Sequence, residues 1–140
     1  MATNTNRKDG LRFETELCEK LARCGWWAHD MTQNAAGQPA DVIAVRINHA
    51  VLIDCKVCST DKFPLSRIEP NQELAMGIWL EKGNQHAYFA VKYPSGKVYM
   101  CHYDDIRWLK KQKVSSIPEA FAQKCFHDLN FWIDWMEDEI

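Results

Sequence analysis

Residues 41–57 read DVIAVRINHAVLIDCKV. Two aliphatic runs, Val42-Ile43-Ala44-Val45 and Val51-Leu52-Ile53, flank Asn48-His49, which is the composition of a hairpin of buried strands. Yet Asp41 opens the first strand, and Asp54 and Lys56 interrupt the second. A charge inside a core hairpin must be paired, hydrated or bound to a metal, because burial without a partner is strongly unfavourable. That requirement constrains everything else in the chain.

Side chains alternate along a strand, so Val51, Ile53, Cys55 and Val57 form one apolar row, and Leu52, Asp54 and Lys56 form the other. With Asn48-His49 as a two-residue turn, Ile47 pairs with Ala50, Asp41 with Lys56 and Ile43 with Asp54. Asp41, Asp54 and Lys56 then project from one face. The two aspartates lie on a diagonal about 7 Å apart at Cβ, close enough for their side chains to share a metal ion. A slip of one residue would scatter the group over both faces.

A helix precedes the hairpin. Residues 11–24 carry its pattern, with Asp9 as the expected cap and Gly25 as the stop. At roughly 100° per residue, Leu11, Leu17, Cys18, Leu21 and Cys24 share an arc with Glu14 in its middle. Glu16 falls well off that arc and can pair with Lys20 at i,i+4. Glu14 is therefore expected to face the sheet, and Glu16 to face solvent.

Three carboxylates and one ammonium gathered in a core repel and desolvate one another, and a divalent cation removes both penalties. Mg²⁺ takes oxygen ligands in octahedral geometry and keeps several waters. A salt bridge from Asp41 to Lys56 with Asp54 solvated is the plainer alternative. Convergence of four residues through two independent periodicities favours the metal site.

The rest of the chain supplies a scaffold. Residues 1–9 are expected to be a flexible arm and 10–140 one domain, with C-terminal helices from about residue 105. Trp26 to His29 reads as a short extended piece, MTQNAAGQP and STDKFPLSRIEP as loops, and Pro70 to about Lys82 as a second helix. HAYFAVKY and KVYMCHY flank Pro94-Ser95-Gly96 as a second hairpin. Asp104 or Asp105 is expected to cap a short helix, and Pro118 to begin another. The stripe Leu129, Trp132, Ile133 and Met136 should pack on the chain's own core, with a dimer seam as the alternative. The fold class expected is α/β, a central mixed sheet flanked by helices.

No apolar run approaches the ~20 residues of a membrane helix, and MATNTNRKDG lacks the apolar core of a signal peptide, so a cytoplasmic location is expected. Six cysteines then read as reduced thiols, and the lone Cys55-x-x-Cys58 has no second pair at zinc spacing. The net charge of −2 is unevenly spread. Outside residues 128–140, which hold five acids and no Lys or Arg, 17 basic residues face 14 acidic ones. Such a distribution permits phosphate binding.

Pro39-Ala40-Asp41, thirteen residues before Asp54-Cys55-Lys56, resembles the signature of the PD-(D/E)XK nuclease superfamily. Gly10-x-x-Phe13-Glu14 resembles the opening of Holliday-junction resolvases of the bacterial RecU type and the archaeal type. FPLSRIEPNQ (63–72) is similar to the segment that leads to a glutamine in the RecU type, here Gln72. YFAVKYPSGKVYMCHYDDI is similar in character to the late hairpin. The resemblance runs from about Gly10 to Ile106. Asp54 stands where resolvases usually have glutamate, and the segment before Asp41 is too short for the RecU stalk.

The resemblance implies an αβββαββ core and a DNA endonuclease that resolves four-way or other branched junctions. It implies Mg²⁺ or Mn²⁺ held by Glu14, Asp41, Asp54 and the Cys55 carbonyl, with Lys56 catalytic and Gln72 positioning water or the scissile strand. Products would carry 5′-phosphate and 3′-hydroxyl ends. A homodimer is implied, because paired nicks need two sites about a two-fold axis. Arg7, Lys8, Arg12, Lys62 and Arg67 are candidate DNA contacts. Two other readings share the core: a nuclease for linear duplex or flap DNA, and a catalytically silent DNA-binding module.

Overall fold

The computed structural model describes residues 3–31 and 40–139, with side chains for 8–31 and 40–139. Pro39, the rest of the expected loop 32–39 and the Arg7 side chain lie outside the described residues.

The chain opens with helix α1 (Thr3–Arg23). It begins six residues before the expected cap, so the stretch read as an arm is helical from Thr3. No proline interrupts residues 3–23, and one interior glycine, Gly10, costs a helix only about 1 kcal/mol. The helix ends as expected at Gly25, which adopts φ +94. Its inward stripe is Phe13, Leu17 and Leu21. Leu11, placed on that stripe by the sequence pattern, is 46% exposed.

Three antiparallel strands follow, β1 (Trp27–Asp30), β2 (Val42–Arg46) and β3 (His49–Val57). The hairpin register differs from expectation by one step of the turn. Arg46 pairs with His49 and Val42 with Ile53, so the turn is Ile47-Asn48. Ile47 takes φ +53, an unusual conformation for a β-branched residue, on a tip where it is 70% exposed. Moving the turn by one residue changes every pairing by two, which preserves the face of each side chain. Asp41 therefore lies opposite Asp54 rather than Lys56, and all three still share a side of the hairpin.

A short strand, β4 (Lys62–Pro64), and a 3₁₀ turn (Leu65–Arg67) occupy the stretch expected to be loop. Helix α2 (Pro70–Glu81) then crosses over to β5 (His86–Lys92), which runs parallel to β3. A parallel neighbour needs such a long crossover. Strand β6 (Val98–His102) completes the second hairpin, as expected. Helix α3 (Tyr103–Lys111) is capped by His102, whose ring accepts from the Asp104 N–H, and not by Asp104 or Asp105. Strand β7 (Ser116–Pro118) pairs with β4, helix α4 (Glu119–Cys125) starts after Pro118 as expected, and β8 (His127–Asp128) adds an edge to the main sheet. Helix α5 (Leu129–Glu139) ends the chain.

The six-stranded sheet has the order β1-β2-β3-β5-β6-β8. One face packs Leu52, Phe89 and Val91 against Met76 of α2 and Ile106 of α3. The other packs Val51, Ile53 and Ala90 against α1 and α5. All four residues of the predicted C-terminal stripe are buried there. Trp132 stacks on Trp26 at 5.8 Å and meets Tyr88 edge-on at 5.3 Å. Cys55 and Cys58 belong to opposite layers; all six cysteines are free thiols. Among the described residues no helix is long and apolar enough to cross a membrane.

Candidate active site

The strand register and two helices bring five of the expected residues to one end of the β2–β3 hairpin. Asp41 enters β2 just ahead of Val42, with its N–H donating to Ile53 at 3.1 Å. Its Oδ2 accepts from the Cys55 N–H at 2.7 Å, which ties the first acid to the backbone beside the second. Asp54 and Lys56 are both buried, and their charges lie 3.2 Å apart at Asp54 Oδ2. That oxygen is fully buried and accepts no hydrogen bond in good geometry.

Gln72 arrives from the first turn of α2. Its Oε1 accepts from Lys56 Nζ at 3.0 Å and from the Glu69 N–H at 3.0 Å, while Nε2 stands 3.5 Å from Asp54 Oδ1. It is thus a capping-box residue and also the clamp on the lysine. The Arg67 carbonyl accepts from the same ammonium at 3.2 Å. Lys56 is held on two sides by neutral oxygens and faces a carboxylate on the third.

Glu14 comes from α1 on the opposite face of the sheet and reaches round the strand end to Asp41. It is buried, and burial, then Asp41, then Asp30 push its carboxyl up to about 8. Burial also raises Asp54 to about 7, with Asp41 adding to the rise and Lys56 opposing it. Asp30 is raised by burial as well. This aspartate, at the end of β1, is the member that the sequence reading missed. A single acid closing a four-residue strand carries no periodicity; its only signal was proximity to the loop before Asp41.

Carboxylates raised together by burial and by one another form a site that an added divalent cation would relieve. The donors are oxygens only, which suits a hard ion. Among the described residues no three His, Cys, Asp or Glu side chains cage an ion by themselves. Mg²⁺ does not require such a cage, since one or two carboxylates and retained waters suffice. Asp54, whose Oδ2 has the Lys56 ammonium at 3.2 Å but no well-aligned donor, and Asp41 beside it supply carboxylate oxygens of the kind such an ion takes.

The family model of archaeal Holliday junction resolvases (Hjc) matches residues 5–122. The chain belongs to this family. Hjc resolvases are metal-dependent nucleases that resolve branched DNA junctions, and they belong to the PD-(D/E)XK superfamily. The structure of Hjc from Archaeoglobus fulgidus, a Holliday junction resolvase from an archaeal hyperthermophile, superposes with a TM-score of 0.63 at 19% identity. The match covers 81% of this chain and 92% of that one, which establishes the shared fold. No curated protein sequence matches. The Hjc match extends to residue 122, beyond the Ile106 limit of the sequence resemblance, so α3 and most of α4 fall within the family and α5 falls outside it.

The expected DNA contacts are dispersed. Lys8 and Arg12 are exposed on α1, and Lys62 is exposed on β4. Arg67 is exposed too, but its Nη1 donates to the Val57 carbonyl at 2.6 Å and its guanidinium covers the Phe63 ring at 5.8 Å. Glu16 is exposed as expected, although its partner is Lys92 at 3.7 Å rather than Lys20, which bonds Asn130 instead.

Proposed function

We propose that this chain is a Mg²⁺- or Mn²⁺-dependent endodeoxyribonuclease that cuts four-way junctions as a homodimer, leaving 5′-phosphate and 3′-hydroxyl ends. One observation carries the reading: Asp41, Asp54, Glu14, Lys56 and Gln72 meet in a single cluster although they come from four separate elements. Asp41, Asp54 and the Cys55 carbonyl would hold the ion, with Glu14 beside Asp41. The bound ion supplies charge neutralisation at the phosphodiester and a more acidic water.

The protein's own groups do the remaining work. Gln72 and the Arg67 carbonyl fix Lys56 Nζ beside Asp54, so its positive charge stands next to the carboxylate that would hold the ion. It is placed there to orient an attacking water and stabilise charge on the phosphoryl oxygens once Asp54 turns from it to the ion. Asp41 Oδ2 holds the Cys55 N–H, which fixes the β3 backbone between Asp54 and Lys56. Gln72 couples the lysine to the start of α2, so movement of that helix moves the lysine.

Helix α2 also supports the dimer. Leu74 and Ile78, one turn apart, are 64% and 45% exposed. They border a groove of about 440 Å³ lined by Ile43, Leu52, Ala75 and Trp79. Paired cuts across a junction need two sites related by a two-fold axis, and a self-complementary apolar helix face is what such an axis requires. A second copy seated there would rest on the helix that carries Gln72.

The deciding experiment incubates the protein with Mg²⁺ and a labelled four-way junction, beside a linear duplex of the same arms and an Asp54→Asn control. Symmetric paired nicks in the junction alone support the proposal. Equal cutting of the duplex moves the activity to linear DNA. No cutting with Mg²⁺ or Mn²⁺ overturns the nuclease reading for this chain.

A further inference from the structure

The carboxylate cluster engages one phosphodiester, and a strand crossing it must be held on either side. Beyond Lys56, the next residue of β3, Val57, lines a depression of about 220 Å³ together with Arg12, Lys92, Asp9, Tyr93 and Gly96. Register places Val57 beside Lys92 on the neighbouring parallel strand, with the Cys58 N–H donating to the Lys92 carbonyl at 2.8 Å. The depression therefore sits at the same end of the β3–β5 pair as the cluster, on the side of the sheet that α1 covers.

Its two cations are set differently. Lys92 is held in place: its ammonium lies over the Phe13 ring at 5.7 Å and 3.7 Å from Glu16. Phe13 immediately precedes Glu14, so the ring that supports the lysine is fixed by the same helical turn as the acid. Arg12 is exposed and has no ion pair or hydrogen bond among the described residues. Asp9, one turn earlier, makes no ion pair with it. An exposed guanidinium and a supported ammonium across a small concavity suit a singly charged tetrahedral group.

We propose that this depression is a second phosphate seat, in which Arg12 and Lys92 together hold a phosphodiester flanking the scissile one. The proposal rests on the nuclease reading of the carboxylate cluster. It gives the bound strand a direction, passing from Asp54 and Lys56 across the end of β3 to the N-terminal half of α1. Lys92 is the decisive residue, because charge clustering along the sequence does not single it out.

The test measures junction binding without divalent ions, so that no cleavage intervenes, over a series of salt concentrations. Lys92→Ala and Arg12→Ala should each weaken binding by roughly five- to tenfold near physiological salt and lower the slope of log K against log salt by about one. Lys92→Arg should restore both. A neutral methylphosphonate at the flanking phosphate should weaken the wild type and weaken Lys92→Ala distinctly less. Arg12→Ala removes no packing and stays informative if Lys92→Ala folds poorly. Unchanged affinity and slope in the alanine variants, with the wild type still cutting junctions, overturns the seat alone. A methylphosphonate penalty as large in Lys92→Ala as in the wild type also overturns it. A wild type that neither binds nor cuts overturns the nuclease reading and the seat with it.

Discussion

Helices α1 and α2 both bring a polar side chain to the carboxylate cluster, and they are built on opposite plans. α1 buries Phe13, Leu17 and Leu21 and interrupts that apolar stripe with Glu14. α2 fully buries only Met76 and leaves Leu74 and Ile78 exposed. The first helix forces an acid into a place where burial lifts its carboxyl to about 8, and packing on both sides of Glu14 keeps it there. The second holds Gln72 through its own capping geometry and leaves its outer face unpartnered. One helix anchors chemistry to the core, and the other connects chemistry to a surface.

The sharpest way to break this contrast is at the cluster itself. Asp41→Asn, Asp54→Asn and Lys56→Ala should each lower cleavage by about 10²–10⁴-fold while junction binding is retained. Single-turnover cleavage alongside a gel-shift measurement checks both halves. Full activity in any of the three would place the chemistry elsewhere.

Stability should separate the helices next. Leu17→Ala removes a fully buried side chain from α1 and should cost about 2–5 kcal/mol, read by urea unfolding. Leu74→Ala on α2 should cost under about 0.5 kcal/mol in the monomer. Leu74→Asp should instead convert dimer to monomer in sedimentation and turn paired nicks into single ones. If Leu74→Asp leaves a dimer that nicks in pairs, the seam lies on another face.

Why the site was legible while parts of the fold were not follows from the geometry of strands. A turn placed one residue too late still put Asp41, Asp54 and Lys56 on one side, because pairing shifts by two and side chains alternate by two. Face membership was thus robust to the error, although the partner of Asp41 was not. Glu14 was legible through helical phase. The β4–β7 pair was not, since its strands are three residues each and join segments about fifty residues apart with no local pattern. Ile47 in a left-handed turn was equally invisible, because propensity argues against it. Asp30 escaped because it joins the cluster only through Glu14, which another element supplies.

A smaller effect concerns pH. Glu14 and Asp54 have carboxyls raised in the fold, to about 8 and about 7, above the usual carboxylate values near 4. The folded protein then binds more protons than the unfolded chain between those limits, so stability falls as pH rises. Without divalent ions the melting temperature should decline from about pH 4.5 to pH 8. Mg²⁺ should reverse much of that decline at pH 8, and Glu14→Gln should flatten it. A metal-free melting temperature that climbs steadily over this window would show that the carboxylates are stabilised as anions.

The smallest expected effect tests the helical phase of α1 directly. Glu16 is two residues from Glu14 but is exposed, and among the described residues its ion-pair partner is Lys92, at 3.7 Å. Exposed pairs of this kind contribute little, so Glu16→Gln should alter stability by less than about 0.5 kcal/mol and leave cleavage within about twofold. Its one directional consequence should appear in binding. Removing the competing carboxylate frees Lys92 for phosphate, so junction affinity at low salt should rise slightly, and Glu14→Gln should produce no such rise. If the two substitutions prove interchangeable, α1 does not present Glu14 inward, and the contrast between the helices fails at its first term.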